Sequence, residues 1–89
     1  MKLAIAILNW NGKKLLKRFL PSVIKNSPEA SVFIIDNASD DGSQNYIIKN
    51  HPGLQLIQLD ANFGFAGGYN RGLKKINAEL VCLLNNDVL

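Results

Sequence analysis

The chain has 89 residues, of which 47% are hydrophobic and 19% charged, and its formal net charge is +3 at pH 7. Such a length allows one small domain at most, and the apolar content excludes a disordered chain. No apolar run approaches the roughly 20 residues of a membrane-spanning helix, and Met1-Lys2 leads into an apolar segment without a signal-peptide cleavage site. The composition is that of a soluble globular protein.

The first predicted elements are a strand and a helix. An apolar run with two isoleucines predicts a strand over residues 3–8, closed by the polar turn at residues 9–12. Apolar residues at helical spacing then predict an amphipathic helix through Leu15, Leu16, Phe19, Leu20, Val23 and Ile24. Pro21 lies inside this pattern and should either kink the helix or begin a second helical segment.

The remaining elements alternate between strand and helix. Residues 31–35 form a continuous β-branched run, which is typical of a strand buried on both faces. Further strands are predicted at residues 54–59 and 80–84. Helices are predicted at about 42–50, with Tyr46 and Ile47 facing inward and Ile48 left open, and at about 68–76. The order β-α-β-α-β-α-β predicts an α/β fold with a parallel sheet and right-handed crossovers.

Cys82 is the one cysteine, and it lies inside an apolar run. It has no internal disulfide partner, and no metal-ligand cluster surrounds it in the sequence. We therefore predict a buried and inert thiol, in a chain whose cysteine content is compatible with a reducing cytoplasm.

Polar residues follow the second and fourth predicted strands, at Asp36 and at Asn85-Asn86-Asp87. Open parallel sheets bind ligands at the carboxyl ends of their strands. As a carboxylate, Asp36 accepts hydrogen bonds from a ligand ring N–H or from a ribose hydroxyl. The alternative is that Asp36 only caps a turn with Asn37 and Ser39.

Asp87 is the predicted metal ligand. Hard cations such as Mg²⁺ or Mn²⁺ take oxygen ligands and are often held by one or two carboxylates together with substrate phosphates. Asn85 would assist as a neutral ligand, whereas the alternative for Asp87 is a solvated loop acid. The acidic turn at residues 40–43 is better explained as a lead into the second helix, with Asp40 or Asp41 as its cap.

A glycine-rich segment follows the third predicted strand, over residues 62–72. It contains Gly64, Gly67, Gly68 and Gly72, interspersed with Asn62, Asn70 and Arg71. Glycines allow the backbone to approach a ligand or a neighbouring strand closely. The N-terminus of the following helix suits a phosphate, and Arg71 would add a fixed charge. The segment is not the dinucleotide fingerprint, which follows a first strand, and a tight turn without ligand remains the alternative.

Two further features each leave two interpretations open. Trp10 lies in a polar turn, where it would either stack on a nucleobase or pack against Pro21 or a loop. The first helix carries a basic face formed by Lys13, Lys14, Lys17 and Arg18. This face is either simply solvated or in peripheral contact with an anionic membrane.

Four segments in register together resemble family 2 glycosyltransferases, and most closely the bacterial rhamnosyltransferase-like branch. They are residues 8–12 (LNWNG), 35–43 (IDNASDDGS), 62–72 (NFGFAGGYNRG) and 84–88 (LNNDV). The resemblance implies that residues 1–89 form the Rossmann-like, nucleotide-sugar-binding half of a GT-A fold, with the acceptor half beyond.

The resemblance also implies roles for individual residues. Trp10 would lie beside the nucleobase, Asp36 would contact the base, and Asp87 would bind the metal that bridges the diphosphate. Asn85 stands where relatives often have an Asp that touches the ribose. The other implied donor-binding residues are Asn9, Asn62, Gly68, Asn70 and Arg71. One departure is Tyr69, which occupies a position where many relatives have arginine.

The implied reaction is inverting transfer from a dTDP- or UDP-linked sugar to a saccharide or lipid-linked acceptor, assisted by Mg²⁺ or Mn²⁺. The catalytic base is expected beyond Leu89, so that this chain alone is expected to be truncated and inactive. Oligomer formation by the truncated chain is left open. The implied setting is bacterial cell-surface polysaccharide synthesis, in the cytoplasm or at the inner face of the membrane.

Two other protein classes share parts of the pattern. A receiver-type signalling domain, or another non-catalytic nucleotide-binding α/β domain, has the same alternation of elements, but a receiver needs acids after its first strand, where this chain has Asn9-Trp10-Asn11. A nucleic-acid-binding module would use the basic helix and Trp10, but the alternating apolar strands disfavour it. We therefore expect no nucleic-acid partner.

Overall fold

The structure, a computed structural model, describes residues 2–85, with only the backbone of Asn85. Its elements in chain order are β1 (Leu3–Asn9), α1 (Lys13–Asn26), β2 (Ser31–Asp36), α2 (Ser43–Asn50), β3 (Gln55–Gln58), α3 (Gly64–Leu73) and β4 (Leu80–Asn85). The predicted alternation of strands and helices is confirmed.

The four strands form one parallel sheet in the order β3-β2-β1-β4. The chain moves outward from β1 to β3 and then returns to the other side of β1 for β4. The reversal between β1 and β4 is a topological switch point, where open α/β sheets bind their ligands. A receiver-type domain instead places β1 between β2 and β3, so that alternative is wrong.

Helices cover both faces of the sheet, which makes three layers. On one face α3 contributes Tyr69 to a cluster with Ala4, Ala6, Leu8, Phe33, Ile35 and Ile57. On the other face α1 and α2 contribute Leu16, Leu20 and Ile47 to a cluster with Ile5, Ile7, Val32 and Ile34. The predicted burial of β2 on both faces is confirmed, because its side chains alternate between the two clusters.

Helices α1 and α2 follow the predicted pattern, and the structure decides two points that the sequence left open. α1 runs through Pro21 as one helix, so a second helical segment beginning there is wrong. In α2, Ile47 is buried but Ile48 is 54% exposed, because one residue later the helix has turned by about 100°. Within residues 2–85, no helix has both the length and the apolar character needed to cross a membrane.

Cys82 is exposed, which contradicts the predicted buried thiol. It lies on β4, which is the outermost strand of the described sheet beside β1. Leu80 and Leu83 on the same strand are also at least half exposed. The apolar run predicted a strand, but sequence alone did not show that this strand lies at an edge.

Helix α3 begins at Gly64, earlier than the predicted start near Gly68. Glycine is a poor helix former, and its abundance here shifted the predicted start toward the C-terminus. A Cβ on Gly68 would lie 2.7 Å from Nδ2 of Asn37 and 2.8 Å from Cδ1 of Leu8, and one on Gly72 would lie 2.4 Å from Cδ1 of Ile35. Gly68 and Gly72 therefore allow α3 to approach the strands closely. Close approach to a neighbouring strand was one of the two uses of these glycines that the sequence suggested.

We expect Gly72→Ala to lower the free energy of unfolding by about 1–3 kcal/mol, because the new methyl group overlaps Ile35 in a packed core. The effect opposes helix propensity, which favours alanine over glycine by about 1 kcal/mol. Urea denaturation measures it. The matched control is Gly53→Ala, since nothing lies within 4 Å of a Cβ there. A Gly72→Ala protein as stable as this control contradicts the packing role.

Candidate functional site

The carboxyl ends of β1 and β2 bring Asn9 and Asp36 together. The two residues are direct partners in the sheet register, and both are fully buried. Nδ2 of Asn9 donates a hydrogen bond to Oδ1 of Asp36 at 2.8 Å. Two candidates that are distant in sequence thus meet at the edge of the sheet where ligands bind in this fold class.

The Asp36 carboxylate accepts four hydrogen bonds from its own chain. Oδ1 accepts from Asn9 Nδ2 and, at 2.7 Å, from the Ser39 hydroxyl. Oδ2 accepts from the Ser39 backbone N–H at 2.9 Å and from Nε2 of Gln44 at 2.6 Å. The turn with Ser39 is therefore present. A ligand would have to displace one of these donors, because two carboxylate oxygens offer about four acceptor positions.

The loops after β1 and β2 are joined into one unit. The backbone N–H of Asn11 donates to the Ser39 hydroxyl at 2.9 Å, and Oδ1 of Asn11 accepts from the backbone N–H of Asp40 at 2.8 Å. Asn11 and Ala38 have left-handed backbones, with φ of 51° and 60°. For alanine this conformation costs about 1–2 kcal/mol, and such strain is concentrated at functional sites.

Trp10 lies at the surface where β1 ends, directly after the buried Asn9. The side chain is 54% exposed. This exposure favours the interpretation in which the indole stacks on a ligand over the one in which it packs against the protein. Contact with a nucleobase stays a prediction.

Asp41 joins the N-termini of two helices. Its Oδ2 accepts from the backbone N–H of Lys13, the first residue of α1, at 3.0 Å. Its Oδ1 accepts from the backbone N–H of Ser43, the first residue of α2, at 2.9 Å and also from the Ser43 hydroxyl. The structural interpretation of the acidic turn is confirmed: Gly42 is the N-cap residue of α2, and Asp41, directly before it, supplies the side-chain hydrogen bonds to the helix start.

The pKa of Asp41 reflects these contacts. Partial burial by itself raises the pKa, but hydrogen bonds from the Ser43 hydroxyl and from the backbone N–H groups of Lys13 and Ser43 outweigh it, so the pKa lies below its ordinary value. Because the pKa is lower in the folded state, the charged group stabilises the fold above the unfolded pKa. This contribution is lost as the pH falls through the folded pKa.

We expect Asp41→Ala to lower the free energy of unfolding by about 1–2 kcal/mol at neutral pH, the usual cost of losing a helix cap. Chemical denaturation at a series of pH values measures it, and the difference from the parent should shrink as the pH falls through the lowered pKa of Asp41. Asp40→Ala is the matched control, because Asp40 is an exposed neighbour. Equal losses in the two variants would argue against a specific cap.

Asn37 is a site residue that sequence reasoning did not select. It is 2% exposed. Its Nδ2 donates to the carbonyl of Gly64 at 2.9 Å, and its Oδ1 accepts from the backbone N–H of Phe63 at 3.2 Å. Asn37 thus holds the start of α3 at the carboxyl end of β2. The sequence signal that could have identified Asn37 was its position directly after Asp36, the residue that ends β2.

The N-terminus of α3, the predicted phosphate site, lies at Gly64 rather than near Gly68. Oδ1 of Asn62 accepts from the Gly64 backbone N–H at 2.9 Å, and Gly64 has a left-handed φ of 74°. Asn62 itself is exposed, whereas Gly68 is buried on the side of α3 that faces the sheet. The structure therefore places Asn62 at the helix start and Gly68 at the interface with the sheet.

Arg71 lies in the last turn of α3, so its expected position near the helix N-terminus is wrong. Its guanidinium carbon is 3.7 Å from the centre of the Phe63 ring. It lines a cavity of about 400 Å³ with Gln58, Leu59, Asp60, Phe63, Lys74 and Lys75. This cavity is beside the end of β3, and two strands, β2 and β1, separate β3 from β4 in the sheet. Asn70, the preceding residue, is exposed on the same helix.

The predicted metal ligand Asp87 and the side chain of Asn85 lie outside the described residues. Across residues 2–85, no group of three or more His, Cys, Asp or Glu side chains is arranged to hold a metal ion. Asp36 already has four hydrogen-bond partners. The described residues therefore do not form a metal site by themselves.

Residues 4–89 match the sequence model of the family described as Glycosyl transferase family 2. The match covers nearly the whole chain, and it agrees with the all-parallel sheet and the polar residues at its carboxyl edge. The protein belongs to glycosyltransferase family 2.

Relatives and solved structures agree with this membership. An N-acetylglucosaminyl-diphospho-decaprenol L-rhamnosyltransferase of Mycobacterium tuberculosis is 27% identical over 83% of this chain and 24% of its own length. Staphylococcus aureus TarS 1-349, solved in complex with UDP-GlcNAc, is 27% identical with a TM-score of 0.82, over 98% of this chain and 27% of TarS.

A more distant structure shows the same fold. The mannosyltransferase PcManGT of Pyrobaculum calidifontis, solved with GDP-Man and Mn²⁺, is 21% identical with a TM-score of 0.79, over 97% of this chain and 27% of its own. The chain spans between 24% and 32% of the length of the curated relatives that it matches. It therefore corresponds to one part of a glycosyltransferase of their size.

Proposed function

We propose that this chain is the donor-binding part of an inverting glycosyltransferase, which transfers a sugar from a UDP- or dTDP-linked donor to a hydroxyl group of a saccharide or lipid-linked acceptor. The observation that carries the proposal is the meeting of Asn9, Asp36 and the exposed Trp10 at the carboxyl edge of a family 2 sheet. The nucleotide sugars held by TarS and PcManGT support a nucleotide-sugar donor.

In this proposal the residues at the carboxyl edge of the sheet have separate roles in donor binding. Trp10 stacks on the nucleobase, beside the loops that Asp36 and Ser39 hold together. The N-terminus of α3 at Gly64 faces the diphosphate with the positive end of the helix dipole. Asn62 shapes that helix start, and Gly68 allows the helix to lie close to β1. Asn70 and Arg71 lie further along α3 and stay secondary candidates.

The proposed metal is Mg²⁺ or Mn²⁺, with Asp87 as its ligand and Asn85 beside the ribose. When bound, such a cation neutralises charge on the leaving diphosphate. A carboxylate that removes the acceptor proton is proposed to lie in sequence beyond Leu89, because the chain corresponds to about a third or less of its relatives' length. We accordingly propose that residues 1–89 alone bind donor without transferring sugar.

Trp10 is the only tryptophan and therefore reports directly on its own surroundings. We expect UDP or dTDP with Mn²⁺ to quench its fluorescence saturably, with calorimetry giving the same affinity. Trp10→Ala should weaken binding in calorimetry by about 5- to 100-fold, the range expected from base–aromatic stacking, and Trp10→Phe should restore much of it. Ile48→Ala, which truncates a side chain as exposed as Trp10, should bind like the parent.

The outcomes separate this proposal from the rival classes. A parent chain that binds neither nucleotide, with or without Mn²⁺, overturns it. Binding of single-stranded RNA with a steep loss of affinity at raised salt would instead favour a nucleic-acid-binding module. Nucleotide binding that is unaffected by Trp10→Ala would retain the donor site but remove Trp10 from it.

We also propose that the basic face of α1 meets the cytoplasmic surface of an anionic membrane. Of the predicted basic face, Lys14, Lys17 and Arg18 are exposed and Lys13 is partly buried, and the exposed Lys25 adds a fourth positive charge on the same helix. Leu16 and Leu20 are buried. Nζ of Lys17 lies 5.4 Å from the centre of the Tyr46 ring. Each basic residue near an anionic surface contributes about 1 kcal/mol before screening by salt, so that the four allow reversible association.

Vesicle co-sedimentation tests this contact. The chain should pellet with anionic vesicles at low salt and stay in solution with neutral ones. Lys14→Glu with Arg18→Glu should abolish pelleting, because the pair removes the net positive charge of the face. Lys74→Glu with Lys75→Glu makes the same change in net charge beside α3 and should have little effect. Equal loss in both double variants, or pelleting with neutral vesicles, would contradict a role for α1.

A further inference from the structure

The hydroxyl of Tyr69 connects two strands across the switch point. The residue is on α3 and is 4% exposed. The backbone N–H of Leu8 on β1 donates to Oη of Tyr69 at 3.3 Å. Oη in turn donates to the carbonyl of Leu84 on β4 at 3.1 Å. One buried hydroxyl on a helix thus bonds to both strands that border the candidate crevice.

The two backbone groups belong to the same rung of the parallel ladder. At the other end of the sheet, the N–H of Leu80 bonds to the carbonyl of Lys2, the residue before its partner Leu3. An N–H that takes part in this ladder therefore bonds to the carbonyl of the residue before its register partner. Leu8 is opposite Asn85, so its N–H pairs with the carbonyl of Leu84. Tyr69 therefore acts on the final rung before the ligand-binding edge.

This rung joins α3 to the ends of β1 and β4. In this register the N–H of Leu8 bonds to the carbonyl of Leu84, and the Tyr69 hydroxyl adds a partner from α3 to each of these two groups. Without the hydroxyl the two backbone groups keep their mutual bond, but α3 loses its hydrogen bonds to the two strand ends. The candidate stacking residue Trp10 lies two positions after Leu8 in the chain, so the change reaches the proposed donor site.

We propose that Tyr69 is a positioning residue, whose hydroxyl holds α3 against the ends of β1 and β4 at the switch point and thereby sets the affinity for a nucleoside diphosphate. The inference rests on the proposed donor-binding function. Tyr69 itself is buried and acts through α3. Its ring also makes an edge-to-face contact with Phe65, with the ring centres 5.2 Å apart. Tyr69→Phe would keep this ring contact and remove only the hydroxyl.

The decisive comparison is Tyr69→Phe against Tyr46→Phe. The chain has two tyrosines, and the second lies on α2, where its hydroxyl contacts Nε2 of His51 at 3.4 Å. The chemical change is therefore the same at both positions. Calorimetry with UDP gives the affinity, NMR of the backbone amides reports on Leu8, and circular dichroism confirms that both variants are folded at the temperature used.

We expect Tyr69→Phe to weaken UDP binding about fivefold, because UDP must then order an N-terminal part of α3 that the hydroxyl no longer holds against the strands, and this ordering lowers the affinity. It should also shift the Leu8 amide resonance and speed its hydrogen exchange. Tyr46→Phe should change neither property. A residue with a purely structural role would lower the unfolding temperature while leaving the UDP affinity of the folded protein unchanged.

The outcomes distinguish this inference from the function on which it rests. Absence of UDP binding in the parent overturns the proposed function and this inference with it. Binding in the parent with the same affinity in Tyr69→Phe overturns this inference alone. If Tyr69→Phe does not fold, the parent decides: UDP must shift the amide resonances of Leu8 and Leu84, and unchanged resonances overturn the proposal.

Discussion

The buried carboxylate of Asp36 is the constraint on which the carboxyl edge of the sheet depends. A carboxylate removed from water is very costly unless it is fully hydrogen-bonded, and here Asn9, Ser39 and Gln44 supply the donors. The loop after β2 must therefore fold back over the strand end. Ser39 then bonds to the turn after β1, so that one buried charge determines the course of both loops beside Trp10.

On the opposite face of the sheet, uncharged groups hold α3 in place through hydrogen bonds. Asn37 holds the start of the helix, and Tyr69 bonds to the two strands beneath it. Gly68 and Gly72 allow the close approach that these short contacts require. The helix N-terminus is consequently positioned by packing and hydrogen bonds from the rigid sheet. Elements held in this way are more precise supports for a ligand than free loops are.

The proposed donor-binding surface and the basic surface of α1 belong to separate parts of the same small domain. Asp41 fixes the N-termini of α1 and α2 together, while the exposed residues of α1 carry the positive charge. A change on the solvent face of α1 therefore leaves the hydrogen bonds of Asp36, Asn37 and Tyr69 intact. This separation is what allows membrane contact and nucleotide binding to be tested by different substitutions.

The sequence by itself determined the alternation of strands and helices, the double burial of β2 and the family, because apolar periodicity and short motifs are local properties of the chain. Asn9 and Asp36 were also predictable, since residues that end neighbouring parallel strands meet at one edge. Only the tertiary structure decided the strand order, the exposed edge position of Cys82, the early start of α3 and the location of Arg71 beside β3. The physical reason is that these depend on contacts between distant residues: the fit of Gly72 against Ile35, and the bonds from Asn37 to α3 and from Tyr69 to β1 and β4, have no signature within any one segment.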